Sequence, residues 1–100
     1  MKFIAETIDF TGEAQFPKTK ELLNNPIENK SVIESFFDKH SPDVVLACRA
    51  MDYVKEKYIG ESLKIYLSGG FCWSNEVVYH FKNYDLKLDE EFIDYVLSCV

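Results

Sequence analysis

The side chains that could support nucleophilic or metal chemistry are three cysteines and two histidines, Cys48, Cys72, Cys99, His40 and His80. Structural zinc sites usually contain close pairs of ligands, whereas the nearest of these residues are eight positions apart. The odd number of cysteines, without a Cys-x-x-Cys pair, argues against a disulfide framework, and their apolar neighbours predict burial. The sequence therefore predicts no metal and no cofactor.

Cys72 and His80 could act as a nucleophile and its base. Covalent catalysis needs both groups and an orienting acid in one place, which requires the chain around Cys72 to fold back on the helix that follows. His80 precedes an inward-facing Phe81, so a partly exposed structural histidine is the simpler interpretation. We therefore expect no enzymatic activity, and a small Cys72–His80 enzyme remains the least favoured hypothesis.

Acidic residues are concentrated near the end of the sequence. The chain has 17 Asp and Glu against 11 Lys and Arg, a net charge of −6, and no basic stripe, which disfavours direct contact with nucleic acid. From position 84 onward five acids accompany Lys87 alone: Asp85, Asp89, Glu90, Glu91 and Asp94. They form either a solvated helix face or a patch complementary to a basic partner protein.

Aromatic residues make up 15% of the chain, more than a small helical core requires. Tyrosine and tryptophan are frequent anchors of protein–protein contacts, although a tyrosine can also cover a core with its hydroxyl in water. Small size, acidity and abundant tyrosine together favour a binding protein. The residues predicted to contact the partner are Tyr84, Asp85, Asp89, Glu90, Glu91 and Asp94, followed by Trp73 and Glu76.

Three segments in the first half of the chain are predicted from apolar spacing and capping signals. Residues 1–10 fit either a helix or an edge strand, and residues 18–24 fit a short helix. Ser31 and Glu34 match a capping box, which predicts a helix from Ser31 to near His40.

The longest predicted helix begins at Ser41-Pro42-Asp43 and runs to about Tyr58. Serine, proline and aspartate in this order are typical of a helix start. Apolar residues then recur every three or four positions, and Gly60 supplies a C-terminal stop.

A small hairpin and two helices follow. Residues 63–67 alternate between apolar and polar side chains, Gly69 and Gly70 suit a turn, and residues 71–73 return as a second strand. Ser74 is expected to cap a helix that ends at Tyr84, and Asp89 to cap the last helix.

The whole chain therefore predicts one α+β domain over residues 1–100, predominantly helical, with four to five helices and one small β-hairpin. Its longest apolar run has five residues, Val44 to Cys48, against the roughly 20 that a membrane span needs. Glu6 stands where a signal peptide would be apolar. We expect a cytoplasmic protein without membrane contact.

The order of features in the second half forms a pattern. A strand ends in a glycine turn, Phe71-Cys72-Trp73-Ser74 follows, a tyrosine-containing helix comes next, and Asp89-Glu90-Glu91-Phe92-Ile93 opens the tail. Over about residues 65–98 this resembles the small immunity proteins of polymorphic toxin systems, of the contact-dependent inhibition and Rhs type. The resemblance implies a non-catalytic antitoxin that binds a cognate toxin domain, often a basic nuclease.

A second hypothesis is an acidic phage or mobile-element inhibitor of a nucleic-acid-binding defence complex. Such a protein would imitate a phosphate backbone, so its carboxylates would lie in a regular, continuous negative stripe.

Overall fold

A four-stranded mixed sheet in the order β1-β4-β3-β2 forms the centre of the fold. The computed structural model describes residues 1–99. Its strands are β1 (Lys2–Phe3), β2 (Val44–Asp52), β3 (Lys57–Ser68) and β4 (Phe71–Ser74). β1 pairs parallel with β4, and the other neighbours pair antiparallel. The α+β class and the β3–β4 hairpin are confirmed, but the prediction of a predominantly helical domain with one small hairpin is wrong.

Four α-helices accompany the sheet within residues 1–99, and three of them are longer than one turn. They are α1 (Ile8–Thr11), α2 (Lys30–Asp38), α3 (Asn75–Tyr84) and α4 (Glu90–Ser98). The first ten residues contain both a short strand and the start of a helical turn. A 3-10 turn at Thr19–Leu22 stands where a short helix was expected over residues 18–24.

The segment predicted as the longest helix instead forms β2, a turn and the start of β3. The Asp52 carboxylate accepts hydrogen bonds from the backbone N–H groups of Val54 and Lys55, both at 2.8 Å, and so closes the turn. Between Val45 and Arg49 the β2–β3 register shifts. This irregularity removed the two-residue alternation that identifies a strand, and the helical spacing that remained was misleading.

The N-caps predicted for the last two helices agree with the structure more closely than the one predicted for α2. Ser74 accepts a hydrogen bond from the Val77 N–H at 3.4 Å, as expected of an N-cap. Asp89 occupies the N-cap position of α4, but its side chain makes no capping bond there. α2 begins at Lys30 with Asn29 as its N-cap, so the capping box predicted at Ser31 is wrong.

The hydrophobic core lies between one face of the sheet and helices α2 to α4. The rings of Trp73 and Phe92 are 5.3 Å apart, and Phe37 stacks on Phe92 at 5.8 Å. Phe81 and Val96 are also fully buried there. Burial of this aromatic cluster holds the helices on the sheet.

The three cysteines occupy different environments. Cys72 is buried on the central strand β4, whereas Cys48 and Cys99 are exposed. The prediction of burial is therefore wrong for Cys48 and Cys99, because one lies on the edge strand and the other follows the last turn of α4.

No helix within residues 1–99 combines the length and the apolar character needed to cross a membrane.

Candidate partner-binding surface

A groove of about 480 Å³ separates α4 from the segment 25–29, and we call it the α4 groove. The side chains of its apolar part are Ile27, Phe81, Leu88, Ile93 and Leu97. Backbone hydrogen bonds join Asn24 N–H to the Tyr84 carbonyl and Lys87 N–H to the Leu22 carbonyl, each at 2.8 Å. These bonds hold the chain just before residues 25–29 beside the chain just before α4, so the groove is built into the fold.

The charged lining of the α4 groove is mostly acidic. Glu28, Glu90 and Asp94 are exposed and line it together with Lys87. Glu90 and Asp94 are four residues apart and therefore share one face of α4. None of the three carboxylates forms an ion pair with any of residues 1–99. An apolar floor with a negative rim suits a lysine or arginine, whose stem is apolar and whose head is charged.

The other acids of the C-terminal region already have partners within the chain. Lys30 forms an ion pair with Asp85. The Asp89 carboxylate accepts the Ala5 N–H at 3.1 Å, and Lys2 lies 3.0 Å from Glu91. The hydrogen bond to Glu91 raises the pKa of Lys2. Lys2 and Lys30 therefore offset part of the negative charge of these acids.

Tyr84 and Glu76 belong to a polar group between α3 and the end of β2, which we call the Asp52 cluster. Its carboxylates and its histidine are buried, and its tyrosines are half-buried. Its members are Asp52, Tyr53, Glu76, Tyr79, His80 and Tyr84. The hydroxyls of Tyr79 and Tyr84 donate to the Asp52 carboxylate at 2.7 Å and 2.5 Å. Burial by itself would raise the pKa of Asp52, but its hydrogen bonds outweigh this and hold the pKa well below its usual range.

Two other members of the Asp52 cluster, Glu76 and His80, accept hydrogen bonds from backbone N–H groups of β2 and of the turn after it. Glu76 accepts the Met51 N–H at 2.8 Å and the Tyr53 hydroxyl at 3.2 Å, and burial raises its pKa. Because the Glu76 carbonyl can only accept, Nδ1 of His80 donates to it at 2.7 Å. Nε2 then accepts the Tyr53 N–H at 3.0 Å. Burial lowers the pKa of His80.

This geometry does not support Cys72 and His80 as a catalytic pair. Both ring nitrogens of His80 are hydrogen-bonded to the backbone, so neither is free to accept a thiol proton. Burial also raises the pKa of the Cys72 thiol, which lowers its thiolate fraction. Within residues 1–99, no three His, Cys, Asp or Glu side chains are grouped so that they could hold a metal ion.

The eight residues predicted to contact a partner thus lie in different environments. Glu90 and Asp94 lie together on the α4 groove, while the exposed Glu91 turns to Lys2. Trp73 is 1% exposed and Glu76 is 5% exposed, so the interpretation of these two as surface residues is wrong. Trp73 packs into the aromatic core, and Glu76 accepts hydrogen bonds from β2 and the turn after it.

Sequence reasoning missed the second wall of the groove, formed by Ile27 and Glu28. The neighbouring Pro26 indicated a loop, but no local signal places that loop against a helix more than 60 residues later.

Compared with protein-family models, curated proteins and solved structures, the chain matches none of them significantly.

Proposed function

We propose that this chain is a non-catalytic immunity protein that binds a cognate toxin domain, a basic nuclease, and neutralises it. The observation that carries the proposal is the α4 groove, where Glu28, Glu90 and Asp94 surround an apolar floor without ion-pair partners among residues 1–99. The resemblance of residues 65–98 to immunity proteins suggests the same class of partner.

A basic partner would gain from both parts of the groove. Its lysine or arginine heads would meet the carboxylates of Glu90 and Asp94, while the stems and neighbouring apolar side chains would cover Ile93 and Leu97. Carboxylates that lack internal partners keep their charge available for an incoming protein. The net charge of −6 would also steer a basic domain toward this chain and accelerate association.

Neutralisation needs no chemistry on this chain. A nuclease holds its substrate through phosphate contacts from basic side chains, so an acidic protein bound to that surface prevents the nucleic acid from binding. Inhibition therefore rests on affinity and on the lifetime of the complex.

The proposal is tested by capture followed by neutralisation. A tagged chain is purified from its native cell, each bound protein is identified, and each is expressed alone and together with this chain. We expect one basic domain to arrest growth alone and to be harmless together with the wild-type chain. Glu90→Lys with Asp94→Lys should abolish this protection.

The matched control is Glu13→Lys with Glu56→Lys, which changes the net charge equally at two exposed acids away from the α4 groove. The control should still protect. Equal protection by both double variants would contradict the groove as the contact, and the absence of any toxic partner would contradict the function itself.

A further inference from the structure

An apolar segment of the edge strand β2 is open to solvent. Val44 is 44% exposed, Val45 60% and Leu46 39%, and the following Ala47 and Cys48 are exposed as well. Natural edge strands are usually protected by charges, prolines, β-bulges or covering elements, since unpaired strand edges bind other strands. None of the five residues from Val44 to Cys48 is charged or a proline.

The far end of β2 is covered, which confines the open edge to residues 44–49. The Met51 N–H donates to Glu76, and the Tyr53 N–H just beyond the strand donates to His80. Both acceptors project from α3 and occupy backbone donors of this chain segment. Side chains of α3 therefore cover the chain from Met51 onward, whereas residues 44–49 have no such cover within the described chain.

Within the open segment, pairing with β3 is incomplete. Val45 lies opposite Lys64 and Arg49 opposite Ser62, so three residues of β2 face the single Leu63. Residues 46–48 thus depart from the regular ladder. β2 is the last strand of the sheet, so its other side faces no strand formed by residues 1–99.

We propose that this edge binds a second copy of the chain, with the two β2 strands antiparallel about a twofold axis at Leu46. In this register Asp43 of one copy lies opposite Arg49 of the other, and the same pair recurs across the axis. Both residues are exposed. Within one chain the Asp43 carboxylate accepts the Leu67 N–H at 2.8 Å and the Arg49 guanidinium lies 5.4 Å from the centre of the Tyr58 ring, so the pair across the axis forms in exchange for these contacts. Opposite charges facing each other stabilise paired strands.

The apolar residues are complementary in the same register. Val45 faces Ala47 of the second copy, Val44 faces Cys48, and Leu46 faces its own symmetry mate. A twofold interface requires this kind of self-complementary segment. The resulting dimer joins two four-stranded sheets into one continuous eight-stranded sheet and removes the exposed apolar edge from water.

The test is the oligomeric state of the purified chain, measured by sedimentation velocity from micromolar to millimolar concentration. The wild type should be dimeric at the upper end. Leu46→Lys places two like charges opposite each other at the axis and should raise the dimer dissociation constant at least about tenfold. Phe3→Lys, at an exposed apolar residue of the opposite edge strand β1, should leave it unchanged.

A charge exchange distinguishes this register from general loss of fold. Asp43→Arg alone and Arg49→Asp alone should each weaken the dimer, and the double variant should restore it, because the opposite charges face each other again. A wild type that stays monomeric at millimolar concentration would overturn the proposal, and so would single and double variants with equal dissociation constants. Neither outcome depends on the toxin partner.

Discussion

At the scale of single residues, Asp52 is the most heavily bonded carboxylate. It is fully buried and accepts four hydrogen bonds, two from backbone N–H groups and two from tyrosine hydroxyls. Its side chain joins the turn after β2 to α3 through Tyr79 and Tyr84. One carboxylate thus fixes both a local turn and a long-range contact.

Replacing this carboxylate should destabilise the fold. Asp52→Asn removes the charge and leaves fewer acceptor sites for the four donors, so we expect the free energy of unfolding to fall by about 2 kcal/mol. Urea unfolding measures the loss. Asp94→Asn, at an exposed side chain, should stay within about 0.5 kcal/mol of the wild type, and equal effects of the two substitutions would contradict this role of Asp52.

His80 should make stability depend on pH near neutrality. Burial lowers its pKa in the folded chain, whereas the unfolded chain has the ordinary value of about 6.5. The unfolded state therefore binds the proton first, and stability falls as the pH drops below about 6.5, with a limiting slope of about 1.4 kcal/mol per pH unit.

Glu76 acts in the opposite direction, because burial raises its pKa and its contribution weakens as the pH rises from about 4.5. The His80 contribution is consequently the difference in slope between the wild type and His80→Gln, taken from urea unfolding between pH 5.5 and 7.5. An unchanged slope in His80→Gln would contradict the assignment.

At the scale of elements, local chemistry predicted some parts well. The β3–β4 hairpin, the Ser74 cap and the start of α4 after Asp89 are all present. Each is specified within a few neighbouring residues by a turn, a cap or a regular apolar spacing. Such features are readable from sequence because the interactions that stabilise them are local.

The strand β2 was not predictable in the same way. Its register irregularities and its position at the sheet edge removed the alternating pattern of a half-buried strand. Assigning residues 44–52 to a helix also concealed the hydrogen bond between the Tyr84 hydroxyl and the Asp52 carboxylate. Glu90 and Asp94 were found because the helical spacing of α4 is clear, but the opposing loop at Ile27 and Glu28 depends on a long-range contact.

The turn between β3 and β4 permits a direct test at this scale. Gly69 and Gly70 both have positive φ, 56° and 83°. A Cβ on Gly69 would lie 2.2 Å from Cζ of Tyr95, whereas one on Gly70 would meet nothing within 4 Å. Gly69→Ala should therefore cost about 1 kcal/mol or more beyond Gly70→Ala in urea unfolding, through displacement of the tyrosine ring.

Equal losses for Gly69→Ala and Gly70→Ala would contradict this close contact, since both alanines share the backbone strain of a positive φ. Tyr95 also shares a hydrogen bond of 2.8 Å with Ser68. The displaced ring should therefore lose that bond in Gly69→Ala, which near-ultraviolet circular dichroism of the tyrosines would report.

At the scale of the whole molecule, the sheet and the three longer helices place distinct surfaces at separate positions. The Cα radius of gyration is 12.8 Å, close to the value of about 13 Å typical of a compact 100-residue domain. The α4 groove combines apolar floor residues with acids that have no ion-pair partner among residues 1–99, whereas the β2 edge is apolar and nearly uncharged. These surfaces suit different partners, a basic protein in the groove and a second copy at the edge.

The α4 groove is the proposed binding site for a basic toxin domain. It is tested by the affinity of the purified domain for the wild-type chain and for Glu90→Lys with Asp94→Lys, measured by isothermal titration calorimetry at low and high salt. We expect the wild type to bind one domain per chain, and the charge reversal to weaken binding at least about 100-fold, about 2.7 kcal/mol, and to reduce its salt dependence. Unchanged affinity and unchanged salt dependence in the reversed variant would show that the domain does not bind at this groove.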